Sequence, residues 1–387
     1  MKSFPDIGKA GGGTDVRLIL DSSYSWLSDI NFFDSFDNSD LSSFDLIYIS
    51  KVFTDTPIPD YLQNLTTTGG VGKIGNTEIH IGGTGFYFDK APNLPDEIEH
   101  CMPDYHLYDA WIEAETAKAE QQKPFFNRSA FMTQFKEYTD YSIGFLTRGC
   151  FRKCKFCVNQ KYNHVFTHSP LEEFYDPERK KICLLDDNFL GCPQWKALLQ
   201  ELLDTGKPFK FKQGLDERIL TDEKCEMLFS GKYDGDYTFA FDNVGDYELI
   251  ERKLQMIRKY APGKASIKFY VLVGFEGTDA KDIENAFNRI ELLMRYGCLP
   301  YIMRYQNKNE TPWRQSEYAG LYVQLARWAN QPSLFKKLSF REFCEKNQQY
   351  HKSEGLCAPM KALHDFEKQW PEIAGKYFDL RFERSED

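Results

Sequence analysis

The stretch from Thr147 to Cys157, TRGCFRKCKFC, brings Cys150, Cys154 and Cys157 together at spacings of x3 and x2, with no fourth cysteine nearby. Thiolates are soft ligands that suit zinc and iron. A structural zinc site asks for four ligands, and here His164 and His168 would have to complete it. A redox pair would use Cys154 and Cys157 and leave Cys150 without a task. A single cysteine taken alone is commonly a small buried apolar residue. The tight triplet favours an iron–sulfur cluster, in which each cubane iron takes one protein thiolate. Three thiolates then leave one iron open to a substrate or cofactor. Arg148, Arg152, Lys153 and Lys155 flank the cysteines and would offset the negative charge of thiolates and cluster.

The elements that would position this loop come from the rest of the 387 residues, a length that accommodates two or three domains. The composition, 42% hydrophobic and 27% charged, is that of a globular chain rather than a disordered or fibrous one. A net charge of −10 gives no overall field for a nucleic-acid backbone, so a nucleic-acid partner is not favoured. No run approaches eighteen apolar residues and the N-terminus carries no signal-peptide pattern, so a cytoplasmic protein with no membrane partner is expected. Ten cysteines at this length are too dilute for a disulfide scaffold.

Short apolar runs at 16–20, 44–50 and 78–84 read as strands of a small Rossmann-like α/β unit. Turn residues fill DNSDLSSFD (37–45), and the Gly-rich LTTTGGVGKIGN reads as a loop or hairpin before the third strand. A charged helix or linker, WIEAETAKAEQQK, follows. From 140 onward the strands YSIGFLT, KICLLDD, FKFKQG, YTFAFDN, IKFYVLVGF and CLPYIMRY alternate with helix-length segments, which argues for a parallel sheet carrying ligand groups at its carboxyl edge. The last segment, from about 311, reads as mainly helical. The domains expected are 1–115, a linker at 116–139, a core at 140–310 and a helical region at 311–387.

The C-x3-C-x2-C loop, with Phe156 directly before Cys157 and a strand in front of it, resembles the signature of the radical S-adenosylmethionine family. LLDDNF and KQGLDERILTDE resemble segments of members that carry an N-terminal cobalamin-binding-type domain. The resemblance implies an α/β fold with a partial (β/α)6 barrel over 140–310. It also implies a [4Fe–4S] cluster on Cys150, Cys154 and Cys157, whose open iron binds S-adenosylmethionine. Reductive cleavage of the sulfonium would yield methionine and a 5'-deoxyadenosyl radical, with flavodoxin or ferredoxin as the type of electron donor. Phe156 would lie at the cofactor, and Asp186 or Asp187 would take the place of the family's terminal acid at its amino end.

Further cofactor candidates stand at the later strand ends. Gln213 and Arg218 occupy the next turn, where Arg218 either receives a carboxylate or closes a salt bridge within QGLDER. Asp242 and Asn243 suit ribose or substrate hydroxyls, Gly274 lets adenine come close because it has no side chain, and one of Arg304 and Tyr305 is expected at the pocket mouth. At the N-terminus, FDLIYISKVFT and IHIGGTGF resemble a cobalamin-binding-type domain. The chain lacks the DxHxxG string whose histidine ligates cobalt, and its opening MKSFPDIGKAGGG shows no clear apolar first strand, so bound cobalamin is not favoured. The leading expectation is hydrogen abstraction from an unidentified substrate. Cobalamin-dependent methyl transfer is the alternative, and a non-enzymatic iron–sulfur or zinc protein, with Lys207, Lys210 and Lys212 as a binding edge, stands third.

Overall fold

The computed structural model describes residues 16–20, 46–50, 60–87, 96–106, 108–263, 265–306 and 311–382. The turn-rich 37–45 segment and the opening thirteen residues lie outside them. Chain contacts divide the molecule into two units, one holding 1–163 and 168–184, the other 164–167 and 185–387. The architecture is mixed α/β with several parallel pairings, and no sheet closes into a barrel among the described residues.

In the first unit, strands β1 (Val16–Leu20), β2 (Leu46–Ser50) and β4 (Thr77–Gly82) lie parallel in the order β1–β2–β4, with Val16 opposite Leu46 and Leu46 opposite Glu78. β3 (Val71–Ile74) returns antiparallel along the edge of β4, so the Gly-rich segment is a hairpin. Burial alternates along β4, with Thr77, Ile79 and Ile81 inward, as a period-two strand requires. The two isoleucines form a core with Ile49, Leu62 and Phe86.

The charged segment is helix α1 (Asp109–Gln122). Among its described side chains it buries the stripe Ile112, Thr116 and Ala119, at i, i+4 and i+7. Asn127 caps the next short helix by accepting from the Ala130 N–H at 3.0 Å. β5 (Tyr141–Gly144) then runs into the two-residue β6 (Thr147–Arg148), ahead of the cysteine loop. β7 (Phe166–Thr167) belongs to the second unit, and β8 (Lys181–Leu184) pairs parallel with β5. Tyr105 stitches this pair to the loop before β8: its hydroxyl accepts from the Ile143 N–H at 2.7 Å and donates to the Phe174 carbonyl at 2.6 Å. Burial pushes that phenol up to about 12, so it stays protonated and serves both partners.

The second unit carries β9 (Phe209–Phe211) and the parallel sheet β10 (Tyr237–Ala240), β11 (Ile267–Val273) and β12 (Leu299–Arg304). Helices α2 (Trp195–Asp204) and α3 (Asp222–Ser230) flank β9 in sequence. Helices α4 (Tyr247–Tyr260) and α5 (Ala280–Arg295) supply the crossovers that parallel neighbours need. α4 buries Ile250, Leu254 and Ile257 along one stripe, and α5 buries Ile283, Phe287, Ile290 and Met294. The helical end consists of α6 (Ala319–Ala329), α7 (Phe340–Gln349), α8 (Ala358–Gln369) and α9 (Pro371–Tyr377). Ser339 and Glu342 form a capping box at the start of α7, and Pro371 separates α8 from α9. Phe287 of α5 joins these helices through Trp328, Phe340, Tyr377 and Phe378, whose ring centroids lie 5.1–6.3 Å away.

Candidate functional site

Gly149, at φ 87°, turns the chain from β6 into the cysteine loop, a backbone state that favours glycine. Cys150, Cys154 and Cys157 are all partly exposed. The Cys157 N–H donates to the Cys154 carbonyl at 2.9 Å, closing the CxxC half into a turn. Two backbone N–H groups aim at sulfur: Arg152 at Cys150 Sγ (3.3 Å) and Asn159 at Cys157 Sγ (3.4 Å). Such donors stabilise thiolate over thiol and tune cluster potential. The Lys153 ammonium donates to the carbonyls of Gln160 (2.7 Å) and Tyr162, while the Gln160 amide donates to the Cys157 carbonyl (3.0 Å). The loop is thus cross-braced without using its sulfurs. Arg148 lies over the Phe145 ring at 3.8 Å and 4.0 Å from Glu99.

Of the two histidines that could complete a zinc site, His168 has both ring nitrogens engaged, Nε2 with Glu99 at 3.0 Å and Nδ1 with Ser169 at 2.9 Å. No group of three His, Cys, Asp or Glu side chains converges on a single ion position among the described residues. A cubane makes a different demand, because each thiolate holds a different iron and the sulfurs need not meet at one point. Partly exposed sulfurs, N–H donors to two of them and flanking cations fit that group. Buried thiols elsewhere differ in character, since burial raises Cys225 and Cys298 to about 11.

The cysteines and Phe156 belong to the first unit, and the other candidates to the second. Asp186 is buried and Asp187 half-buried just after β8. Gln213 is exposed. Arg218 closes the salt bridge within its own segment, with Nε 2.7 Å from Asp216 and 3.8 Å from Glu217, and Nη1 3.9 Å from Asp246. The Asn243 carbonyl oxygen accepts from the Gly245 N–H at 2.7 Å and so caps a short turn. Asp242 accepts from the Leu272 N–H at 3.2 Å. Burial pushes its carboxyl up to about 6, against the opposing pull of Arg289.

Gly274 follows β11 at φ 69°, and its N–H donates to Asp282 at 2.8 Å. What approaches it is Trp313: a Cβ added at Gly274 would lie 2.8 Å from the Trp313 Cβ. Gly274→Ala is therefore expected to destabilise the protein by about 2 kcal/mol in urea unfolding, through combined backbone strain and overpacking. A loss below about 0.5 kcal/mol would count against that packing role.

Two residues that sequence reasoning passed over organise this region. Glu217, 1% exposed, accepts from the Ala240 N–H at 3.1 Å through Oε2, while its buried Oε1 has no hydrogen-bond partner. Burial raises its carboxyl from 4.5 to about 8, so it is mostly neutral at pH 7. The folded state then binds a proton that the unfolded chain releases above pH 4.5. Stability contributed by this group is full below pH 4.5, falls by up to about 1.4 kcal/mol per pH unit toward pH 8, and is gone above it. Glu217→Gln keeps the acceptor for Ala240 and is expected to flatten that decline in urea melts between pH 5 and 8. An unchanged slope would contradict a neutral Glu217. The signal for it was proximity, since it stands between Asp216 and Arg218 in QGLDER.

The second is Arg289, 2% exposed, whose guanidinium donates to the carbonyls of Phe241 and Asp242 (both 2.9 Å) and of Asn285 (3.1 Å). Its signal was an arginine three residues from Ala286 and four from Leu293, on the buried side of α5.

No family model matches this chain, and no curated protein does either. Among solved structures it is similar to the radical S-adenosylmethionine methyltransferase TsrM from Kitasatospora setae, determined with cobalamin and a [4Fe–4S] cluster bound. The identity is 12% and the TM-score 0.43, over 70% of this chain and 67% of that one. A similarity of that size speaks of distant backbone likeness and of neither cofactor nor reaction.

Proposed function

We propose that the chain is a radical S-adenosylmethionine enzyme that abstracts hydrogen from its substrate, with a partial (β/α)6 core at 140–310. The observation that carries this reading is the braced loop in which Cys150, Cys154 and Cys157 stay partly exposed and two of the three sulfurs accept backbone N–H groups. These three residues would hold a [4Fe–4S] cluster. Held there, a cluster would supply the one-electron reduction that cleaves S-adenosylmethionine, with a flavodoxin or ferredoxin type of donor as the electron source.

Phe156 would shield the cofactor, and Asp186 or Asp187 would bind its amino group. Gln213 and Arg218 line the next strand end, with Arg218 already charge-paired to Asp216. Asp242, raised to about 6 by burial and mostly ionised at pH 7, offers acceptor oxygens that would suit ribose or substrate hydroxyls. Asn243 caps its own turn, Gly274 is committed to Trp313, and Arg304 is left for an anionic group. A cytoplasmic, reducing setting would keep the thiols available. Among the described residues no helix is long and apolar enough to cross a membrane.

Cobalamin-dependent methyl transfer is a second reading, favoured by the parallel order β1–β2–β4 with Gly82 and Gly83 at the carboxyl end of β4. The deciding experiment incubates anaerobically reconstituted protein with reductant, S-adenosylmethionine and a fractionated native extract. Substrate-dependent 5'-deoxyadenosine supports hydrogen abstraction. Tight stoichiometric binding of hydroxocobalamin with a methylated product would move methyl transfer to the lead, and no cofactor cleavage at all would end both readings.

A further inference from the structure

At the carboxyl end of β12, Arg304 places its guanidinium 4.5 Å from the centre of the Trp313 indole, and Arg314 places a second one 5.3 Å from the same ring. Both arginines are exposed, whereas Trp313 is buried. Among the described residues neither guanidinium has an ion pair or a hydrogen bond. Elsewhere in this unit Arg218, Arg295 and Arg341 each meet a carboxylate. Arg258, Arg289 and Arg327 donate instead to carbonyl or amide oxygens, so two adjacent cations with no acceptor among the described residues carry an uncompensated mutual repulsion. Burial and Arg314 together hold the Arg304 pKa below its ordinary value, which expresses that cost.

Trp313 explains how the pair is held. Its indole N–H is buried and finds no acceptor, so the side chain is kept for its ring and not for a hydrogen bond. The ring face attracts cations and presents planar guanidinium groups in fixed orientation. Gly274 makes room for it, because a side chain there would meet the Trp313 Cβ. The result is a rigid aromatic platform bearing two donor forks at the carboxyl edge of a parallel sheet, where α/β folds bind ligands.

We infer that Arg304, Trp313 and Arg314 form a binding site for an oxyanion, a phosphate or carboxylate group on a ligand. Paired guanidinium forks match the several oxygens of such a group through charge-assisted hydrogen bonds, and the bound anion removes the repulsion between the two cations. The site requires neither the cluster nor S-adenosylmethionine, so it stands or falls apart from the proposed reaction.

The test is calorimetric titration of the full chain, without cluster reconstitution, at constant ionic strength. Inorganic pyrophosphate is the phosphoryl probe and succinate the carboxylate probe. Saturable one-to-one binding of either is expected, and the stronger of the two tells which oxyanion the site takes. Arg304→Gln and Arg314→Gln are each expected to weaken it about tenfold, and the double variant to abolish it. Both side chains are exposed, so the variants should fold, which circular dichroism checks. Absence of saturable binding of both probes, or wild-type affinity in the double variant, would overturn the inference.

Discussion

Cys154→Ala is expected to leave the reconstituted protein without a [4Fe–4S] cluster, with iron and sulfide at background and no cleavage of S-adenosylmethionine. The same holds for Cys150→Ala and Cys157→Ala. Each cubane iron needs its own protein thiolate, and this loop offers three, so losing one leaves two irons open and the assembly exposed to hydrolysis and loss of iron. The braces around the loop do not depend on the sulfurs. Lys153 still reaches the Gln160 carbonyl and Gln160 still reaches the Cys157 carbonyl, so the variants should stay folded while losing metal. Cys298→Ala is the matched control: that thiol is buried, raised to about 11 and remote in sequence from the loop, and its removal should leave iron loading intact. Iron and sulfide counts with the electron paramagnetic resonance of the reduced protein read the outcome directly. Undiminished loading in all three loop variants would sink the cluster assignment.

Arg289→Ala is expected to cost about 3–5 kcal/mol of stability, because it strips partners from buried polar groups rather than simply shortening a side chain. Three backbone carbonyls, those of Asn285, Phe241 and Asp242, lose their donor together. The same change removes the cation that opposes the burial-driven rise of the Asp242 and Asp282 carboxyls, so both should become harder to ionise. Arg289→Met keeps most of the aliphatic stem and separates packing from charge. If the methionine variant loses nearly as much as the alanine variant in urea unfolding at pH 7, the guanidinium is what matters. A loss below about 1 kcal/mol in both would show that the carbonyls find other donors.

Both predictions rest on residues that differ in how visible they were beforehand. The cysteine triplet stands out in the sequence because its spacing is local: x3 and x2 gaps keep the three thiols close along the chain whatever the rest of it does. The strands were legible for a related reason. VRLIL, LIYIS and IKFYVLV are apolar and β-branched over strand length, and each is a strand in the structure. The hairpin before β4 followed from glycines between two such runs. The segment after 311 read as mainly helical and is so, with Ser339 and Glu342 capping one of its helices.

Other roles depended on partners distant in sequence. Gly274 read as a place for a ligand to come close, and Trp313, thirty-nine positions later, is what comes close. Asn243 read as a hydroxyl binder and caps its own turn, while Arg218 closed onto Asp216 two residues away. Glu217 became a strongly raised acid only because the surrounding chain excludes water from it, against the opposing pull of the Ala240 N–H that β10 delivers. The sequence by itself determined the order of strands and helices and the close spacing of Cys150, Cys154 and Cys157, since propensity and short spacing act over a few residues. Only the tertiary structure decided which polar side chains are buried, which are satisfied and that Arg304 and Arg314 share one indole ring, because desolvation and charge pairing are set by neighbours that the chain brings together from afar.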